Sequence, residues 1–286
     1  MRFRFIRDHR ETFTVGRMCD VLRVSRSGFY AWLTRPLSVR RTRDAELARE
    51  IREVHAKSRG TYGVPRVHAA LRSLGYACGR KRVAHLMRQE RLYSKARRKF
   101  RATTDSTHSL PVAPNVLAQN FEIGDLNQVW VADITYIPTG EGWLYLASIM
   151  DLCSRSIVGW SMASSMRSEL VEDALRMAVG RRSPAGGLIH HSDRGSQYAS
   201  RAYQQLLSEN GIRCSMSRKG NCYDNAPCER FFWSLKKEWV NRLGYADLET
   251  ARQSVFHYIE AFYNRVRRHQ ALGYISPAQF EANQAA

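Results

Sequence analysis

The segment Val129-Trp-Val-Ala-Asp-Ile-Thr-Tyr-Ile137 reads as a β-strand with a carboxylate at its middle, and few folds tolerate that. Its β-branched and aromatic residues suit a pleated, largely buried strand that stops at Pro138. Trp130, Ala132 and Ile134 surround Asp133, where an unpaired buried charge is costly, so a metal ion or a buried partner has to compensate. A hairpin loop, Thr139-Gly-Glu-Gly142, leads into a second strand over 143–150, and a third follows over 156–161. Tight connections between the three predict an antiparallel meander. A helix is expected over 168–179, a short strand over 188–191, a helix over 200–210, a brief strand over 213–215 and a long helix over 226–239. That order, βββαβαβα, predicts a mixed α/β fold with a five-stranded sheet.

Two further acids fit the same design. Asp193 follows the fourth strand in His190-His-Ser-Asp-Arg-Gly-Ser-Gln-Tyr198, at the carboxyl end where ligand-binding residues commonly lie. Glu229 stands near the start of the long helix. Two acids on strands and one on a later helix can converge on two divalent cations about 3.5–4 Å apart. Oxygen-only ligands suit Mg²⁺, which leaves positions for water and phosphate. Taken singly, each acid has a plainer role: Asp133 as a satisfied core aspartate, Asp193 as a turn cap, Glu229 as a complement to its helix dipole. Asp224 and Asn225 read as caps of the long helix, and Asp151 as a turn residue beside Arg155. Adjacent strand residues face opposite ways, so at most one of His190 and His191 points into the site.

Charge separates the front of the chain from the rest. Residues 1–122 hold 27 basic and 10 acidic residues, a net of +17, against +2 for the remainder. A basic front half on a nearly neutral back half suits a polyanion-binding module attached to something else, the alternative being a ribosome-associated or generally adhesive basic protein. Residues 1–43 read as two helices, with Val15, Met18, Val21 and Leu22 on one buried face. The second, capped by Ser25, presents Arg26, Ser27 and Tyr30; the pair is a helix-turn-helix remnant or a plain helical hairpin. In 44–93, Asp44 is expected to cap a helix to Lys57, and helices over 64–74 and 79–90 complete a helix-turn-helix-like DNA-binding domain. Arg80, Lys81 and Arg82 crowd the first turn of the last helix against its dipole, which suits either a phosphate backbone or a solvated face. Residues 94–122 read as a basic linker carrying Lys95, Arg97, Arg98 and Lys99. No apolar run reaches the roughly 18 residues of a membrane span, and no export signal is visible. Six scattered cysteines with no CxxC pair suggest free thiols in a reducing cytoplasm.

Several motifs together resemble the DDE superfamily of transposases and retroviral integrases. The likeness is to the second-frame, OrfB-type product of IS-three-family insertion sequences, over roughly residues 40–280. Asp193 and Glu229 enclose 35 residues, and Lys236 follows seven after Glu229, where that family has Lys or Arg. The stretches 130–136, 191–198, 220–232, 235–238 and 263–280 match as well. The resemblance implies an RNase H-like integrase catalytic core for 123–240, followed by a C-terminal helical extension over 241–286. It also implies catalysis and metal binding by Asp133, Asp193 and Glu229, with two Mg²⁺ ions for which Mn²⁺ would substitute. DNA contact is expected from Lys236, Arg26, Arg80, Lys81, Arg82, Lys95, Arg97, Arg98 and Lys99. The partners implied are double-stranded DNA (transposon ends with terminal inverted repeats, and target), other copies of the chain on that DNA, and an upstream-frame product. The location implied is a bacterial cytoplasm, on the nucleoid. On a helix, positions 229, 233 and 236 share a face, so Lys236 should point as Glu229 does. A structure-specific nuclease and a non-catalytic DNA-binding repressor are the competing readings; the paired N-terminal modules and Lys236 weigh against the first, a buried Asp133 against the second.

Overall fold

A computed structural model describes residues 1–36, 38–94, 110–218 and 222–285, without the side chains of residues 222 and 223. The expected five-stranded mixed sheet is present: β1 (Val129–Thr139), β2 (Gly142–Asp151), β3 (Ile157–Ala163), β4 (Ile189–Ser192) and β5 (Arg213–Met216), in the order β3-β2-β1-β4-β5. β1, β2 and β3 pair antiparallel, while β4 runs parallel to β1 and β5 parallel to β4. β1 does not stop at Pro138 but runs through it, with Pro138 opposite Trp143. β4 pairs with Val129–Val131 alone, so the proline falls where β1 has no β4 neighbour and costs that ladder nothing.

Alternation along β1 builds a core on each face of the sheet. Trp130 and Ala132 pack with Leu170, Ala174 and Leu175 of α7 (Ser168–Arg182) and with Tyr203 and Leu207 of α8 (Arg201–Glu209). Gly159 on β3 lets α7 lie directly on the sheet, because a Cβ there would collide with the Ala174 carbonyl oxygen. α7 continues past Gly180, where the sequence suggested an end; Arg181 bonds Glu260 at 2.8 Å and Arg182 bonds Glu281 at 2.7 Å, fixing its last turn. On the other face, Val131 and Ile137 meet Cys228, Phe231 and Leu235 of α9 (Ala226–Leu235). The long helix expected to Trp239 changes pitch, since Lys236–Val240 forms a π-helical turn that leads into α10 (Asn241–Leu243). Ala251 and Val255 of α11 (Leu248–His257), with Tyr258, Phe262 and Tyr263 in a second π-helical turn, belong to the same apolar layer, and α12 (Pro277–Gln284) follows. The residues beyond 240 thus help to build the core that carries α9.

The basic front half forms two helical units. The first has three helices, α1 (Arg2–Asp8), α2 (Val15–Val21) and α3 (Arg26–Thr34), around Ile6, Met18, Cys19 and Phe29. α1 escaped sequence reading because seven mostly charged residues carry only Phe3, Phe5 and Ile6 as signal. Val21 lies outside the buried stripe, at 76% exposure, and Cys19 takes the place assigned to it. Ser25 caps α3 as expected, accepting the Gly28 N–H at 2.9 Å. The second unit packs α4 (Val39–Lys57), α5 (Val64–Ser73) and α6 (Arg80–Gln89) around Ile51, Val67, Leu71 and Val83. α4 begins under Ser38, six residues before its expected cap; Asp44 is not a cap but holds Arg82 at 2.7 Å. The second unit docks on the residues that close the core. The Tyr62 hydroxyl donates to the Val266 carbonyl at 3.1 Å and accepts the Arg268 N–H at 2.9 Å, and Arg59 lies 3.7 Å over the Trp239 ring. Among the described residues, no helix is long and apolar enough to cross a membrane.

Candidate active site

Parallel register brings the first two acids together. Val131 lies opposite His191 at the end of the β1–β4 ladder. The ladder stops there, and two residues further on the negative charge of Asp193 reaches Asp133 and raises its pKa. Asp133 faces the α9 side of the sheet, and the Ile134 N–H donates to its Oδ1 at 2.8 Å. β4 ends at Ser192, and the turn after it bends the Asp193 carboxylate back so that Oδ1 accepts the Gly195 N–H at 2.9 Å. A Cβ at Gly195 would come 3.1 Å from that same oxygen, so glycine permits the close approach.

The third acid arrives through a helix pinned to the backbone of β1. The Asn225 side-chain amide donates to the Ala132 carbonyl at 2.9 Å, and the Cys228 thiol to the Val131 carbonyl at 3.3 Å. These bonds hold the start of α9 against the two residues that precede Asp133, and Glu229 occupies the first helical turn. Burial first, then the negative charge of Asp193 and that of Glu229, push the Asp133 carboxyl well above its ordinary range, while Lys236 opposes them. Burial raises Glu229 as well. Among the described residues, no three His, Cys, Asp or Glu side chains close into a ready-made ion cage. Like charges hold apart, and Mg²⁺ ordinarily takes one or two carboxylates with water and phosphate, so an open set of oxygen donors still fits such an ion.

Lys236, at the start of the π-helical turn, lies within electrostatic reach of Asp133. Its Nζ is 4.5 Å from the centre of the Tyr136 ring, three residues along β1 from Asp133. Burial lowers its pKa, and the Asp133 carboxylate works against that shift. Lys237 points elsewhere, into a cleft shared with Thr61, Arg66 and Arg242.

Neither histidine joins this site. The ring nitrogens of His191 lie 2.9 and 3.1 Å from the hydroxyls of Ser215 and Ser217, and burial takes its pKa down to about 4. His190 bonds the Tyr203 hydroxyl at 2.9 Å on the opposite face, and burial takes it to about 3. Asp151 is the turn residue it was read to be, accepting the main-chain N–H groups of Asn127 and Ser154. Asn225 stands at the cap position of α9, but its side chain serves β1 instead. Asp224 is a buried anchor; it accepts from Arg218, Asn115 and Gln119, and Arg218 above all holds its carboxyl far below the usual range. The strand-pinning roles of Asn225 and Cys228 were missed, because their targets are main-chain carbonyls about 95 residues away.

The expected DNA contacts lie in the helical units. Arg26 is exposed at the start of α3, 3.7 Å from Asp20. Arg80 and Lys81 are exposed on the first turn of α6, while Arg82 is half-buried and engaged with Asp44. Lys95, Arg97, Arg98 and Lys99 lie outside the described residues. The described end of the expected linker is held to the core, with the N–H groups of Val116 and Leu117 on the Ser215 hydroxyl.

An integrase core domain model matches residues 125–222 and a second one residues 210–277, and an HTH-like domain model matches residues 42–100. A 31 kDa protein of insertion element IS600 from Shigella sonnei is 49% identical, over 92% of this chain and 97% of its own. Transposase InsF for insertion sequence IS3A, from Escherichia coli strain K12, is 44% identical over 98% of each chain. Among solved structures, a chain of the simian T-cell lymphotropic virus intasome gives a TM-score of 0.47 at 15% identity, over 80% of this chain and 73% of that one.

Proposed function

The chain belongs to the IS3 family of insertion-sequence transposases, and from that premise we propose that Asp133, Asp193 and Glu229 are the acids with which it cuts and joins DNA. It is a DDE polynucleotidyl transferase that catalyses transposition, built from an integrase core with an HTH-like domain in front. What supports the residue assignment is that Asp133 is buried in the central strand of the sheet and that the negative charges of Asp193 and Glu229 both raise its pKa.

The cofactor we assign is magnesium, as two ions, with manganese as its substitute; oxygen-only donors in a half-buried cluster of like charges favour such a hard cation. When bound, it supplies a Lewis acid for phosphate oxygens and makes its water more acidic. Around it the chain supplies fixed geometry. The Ile134 and Gly195 N–H groups orient the two aspartates, α9 delivers Glu229, and Lys236 offers an ammonium to the DNA phosphate beside Asp133. Water hydrolyses a phosphodiester at a transposon end and frees a 3′-OH, which then attacks a second phosphodiester in line. No serine or tyrosine nucleophile is needed. The helical units bind the terminal inverted repeats through Arg26, Arg80, Lys81 and the basic run 95–101. Several copies work together on DNA, on the nucleoid of a bacterial cell, alongside an upstream-frame product.

Labelled end DNA with Mg²⁺ tests the reading. The wild-type chain yields 3′-cleaved and joined products, and Asp133→Asn, Asp193→Asn and Glu229→Gln each lose both while retaining DNA binding. Full activity in any one of the three would remove that residue from the site.

A further inference from the structure

A cleft of about 540 Å³ opens on another flank of the helix that carries Glu229. Ala226, Arg230 and Ser234 recur every fourth residue and give α9 one stripe facing it, with Glu229 about 100° round the helix. Arg66 of α5, Arg155 of the β2–β3 turn and Arg267 of the closing segment complete its cationic wall, with His269 beside them. None of the described residues lining it is an acid.

Its charge is poorly balanced. Glu238 takes the Arg267 guanidinium through two bonds of 2.7 Å, and Arg66 reaches the same carboxylate at 3.5 Å, so one negative charge serves two positive ones. Arg155 donates to the main-chain carbonyl of Phe121 at 3.3 Å, and among the described residues neither Arg155 nor Arg230 has a carboxylate within 4 Å. Three positive charges therefore remain in excess around a recess that also holds the Ser234 hydroxyl. His269 registers this field. Burial first, then Arg267, Arg66 and Arg155, drive its pKa well below the ordinary value, and its Nε2 lies 3.4 Å from Arg267. A half-buried guanidinium with no carboxylate beside it, Arg155, and an exposed one at the mouth, Arg230, present planar forks matched to phosphate oxygens and call for an anion.

We propose that this cleft is a phosphate-binding site, occupied by a backbone phosphate of a DNA strand that crosses α9 on leaving the catalytic acids. The inference rests on the transposase reading for the identity of the strand. A helix is about 10–12 Å across, roughly three steps of a DNA strand at 3.4 Å each, so one strand can touch both flanks. The mouth residues Arg230, Gln270 and Ala271 are exposed, leaving the recess open to a polymer. Arg66 belongs to the second helical unit, so a phosphate seated here would also fasten that unit to the core.

Anisotropy titrations of the full chain with a labelled end duplex, across a salt series, test this. Arg230→Gln is expected to weaken binding about tenfold and to flatten the log–log salt slope by about 0.9. Ala271→Glu, which removes no cation, is expected to weaken binding similarly by placing a carboxylate at the mouth. Arg213→Gln, an exposed cation at the far end of β5, keeps the wild-type affinity for duplex relative to these two. Thermal melts of the same proteins separate loss of contact from loss of fold. A salt slope unmoved by Arg230→Gln overturns the proposal. So does a result in which inorganic phosphate competes at the cleft while DNA binding ignores both cleft variants, which would mark it as a site for free phosphate. A wild-type chain that binds DNA with its full slope yet never joins ends would overturn the transposase chemistry and leave the cleft standing.

Discussion

Two neighbouring lysines show how much a single position on a helix decides. Lys236 stands over Tyr136 beside Asp133, whereas Lys237 enters the cleft next to the helical unit. Lys236→Ala is therefore expected to cut strand joining by tenfold or more, about 1.4 kcal/mol of phosphate placement, with metal binding by the acids intact. Lys237→Ala should cost less; a parallel strand-transfer assay in which Lys237→Ala is the more damaging would reverse the assignment. His190 sets a different residue-scale property. It is neutral in the fold, with a pKa near 3, but binds a proton in the unfolded chain below about 6.5. Its folded pKa lies below its unfolded one, so its stabilising effect is full above pH 6.5 and declines as pH falls towards 3. Stability should drop by about 1.4 kcal/mol per pH unit through that window from this group alone. Urea unfolding between pH 7 and 4.5 measures it, and an unchanged midpoint would show that the ring takes its proton inside the fold.

At the scale of elements, α9 and the π-helical turn after it join the catalytic face to the rest of the molecule. The N-terminal end of α9 is pinned to β1 through Asn225 and Cys228, and its far end is held through Glu238, which binds Arg267, Arg66 and Tyr258. Arg267 is 4% exposed, so deleting its partner leaves a buried, unpaired charge. Glu238→Gln is expected to cost about 3–5 kcal/mol. Glu238→Gln with Arg267→Met should cost less than Glu238→Gln alone, since the stranded charge is gone. Denaturant unfolding of the two variants decides, and equal losses would mean that the carboxylate acts through packing and not through charge.

For the molecule as a whole, the basic front half and the near-neutral back half correspond to bodies with separate hydrophobic cores. A fragment ending near Thr103 is expected to fold as helices and to bind inverted-repeat DNA with a steep salt dependence, each phosphate contact adding about −0.9 to the slope. Circular dichroism and a salt series on that fragment check it; binding no better than that of an uncharged control at low salt would place end recognition in the core instead. The docking of Tyr62 between Val266 and Arg268 predicts one further effect, that the fragment melts below the same residues in the full chain.

What could be read in the sequence was whatever local periodicity or fixed spacing encodes. The alternation around Asp133 announced a sheet with a charge in its core, the interval from Asp193 to Glu229 and the step on to Lys236 pointed to the site proposed above, and the charge asymmetry set the front of the chain apart from the rest. Boundaries went astray where a distant contact overrode a local signal. Arg82 drew Asp44 away from capping, the short reach of β4 let Pro138 stay in its strand, and Glu260 and Glu281 carried α7 past Gly180. Tertiary structure alone decided the parallel pairing of β1 with β4, the serine and tyrosine hydroxyls that engage the two histidines, and the gathering of Arg66, Arg155, Arg230 and Arg267 around one cleft. Those four arginines span two hundred residues of chain with no periodic relation between them; only the packing of four separate elements brings their charges together, and such packing has no local signature.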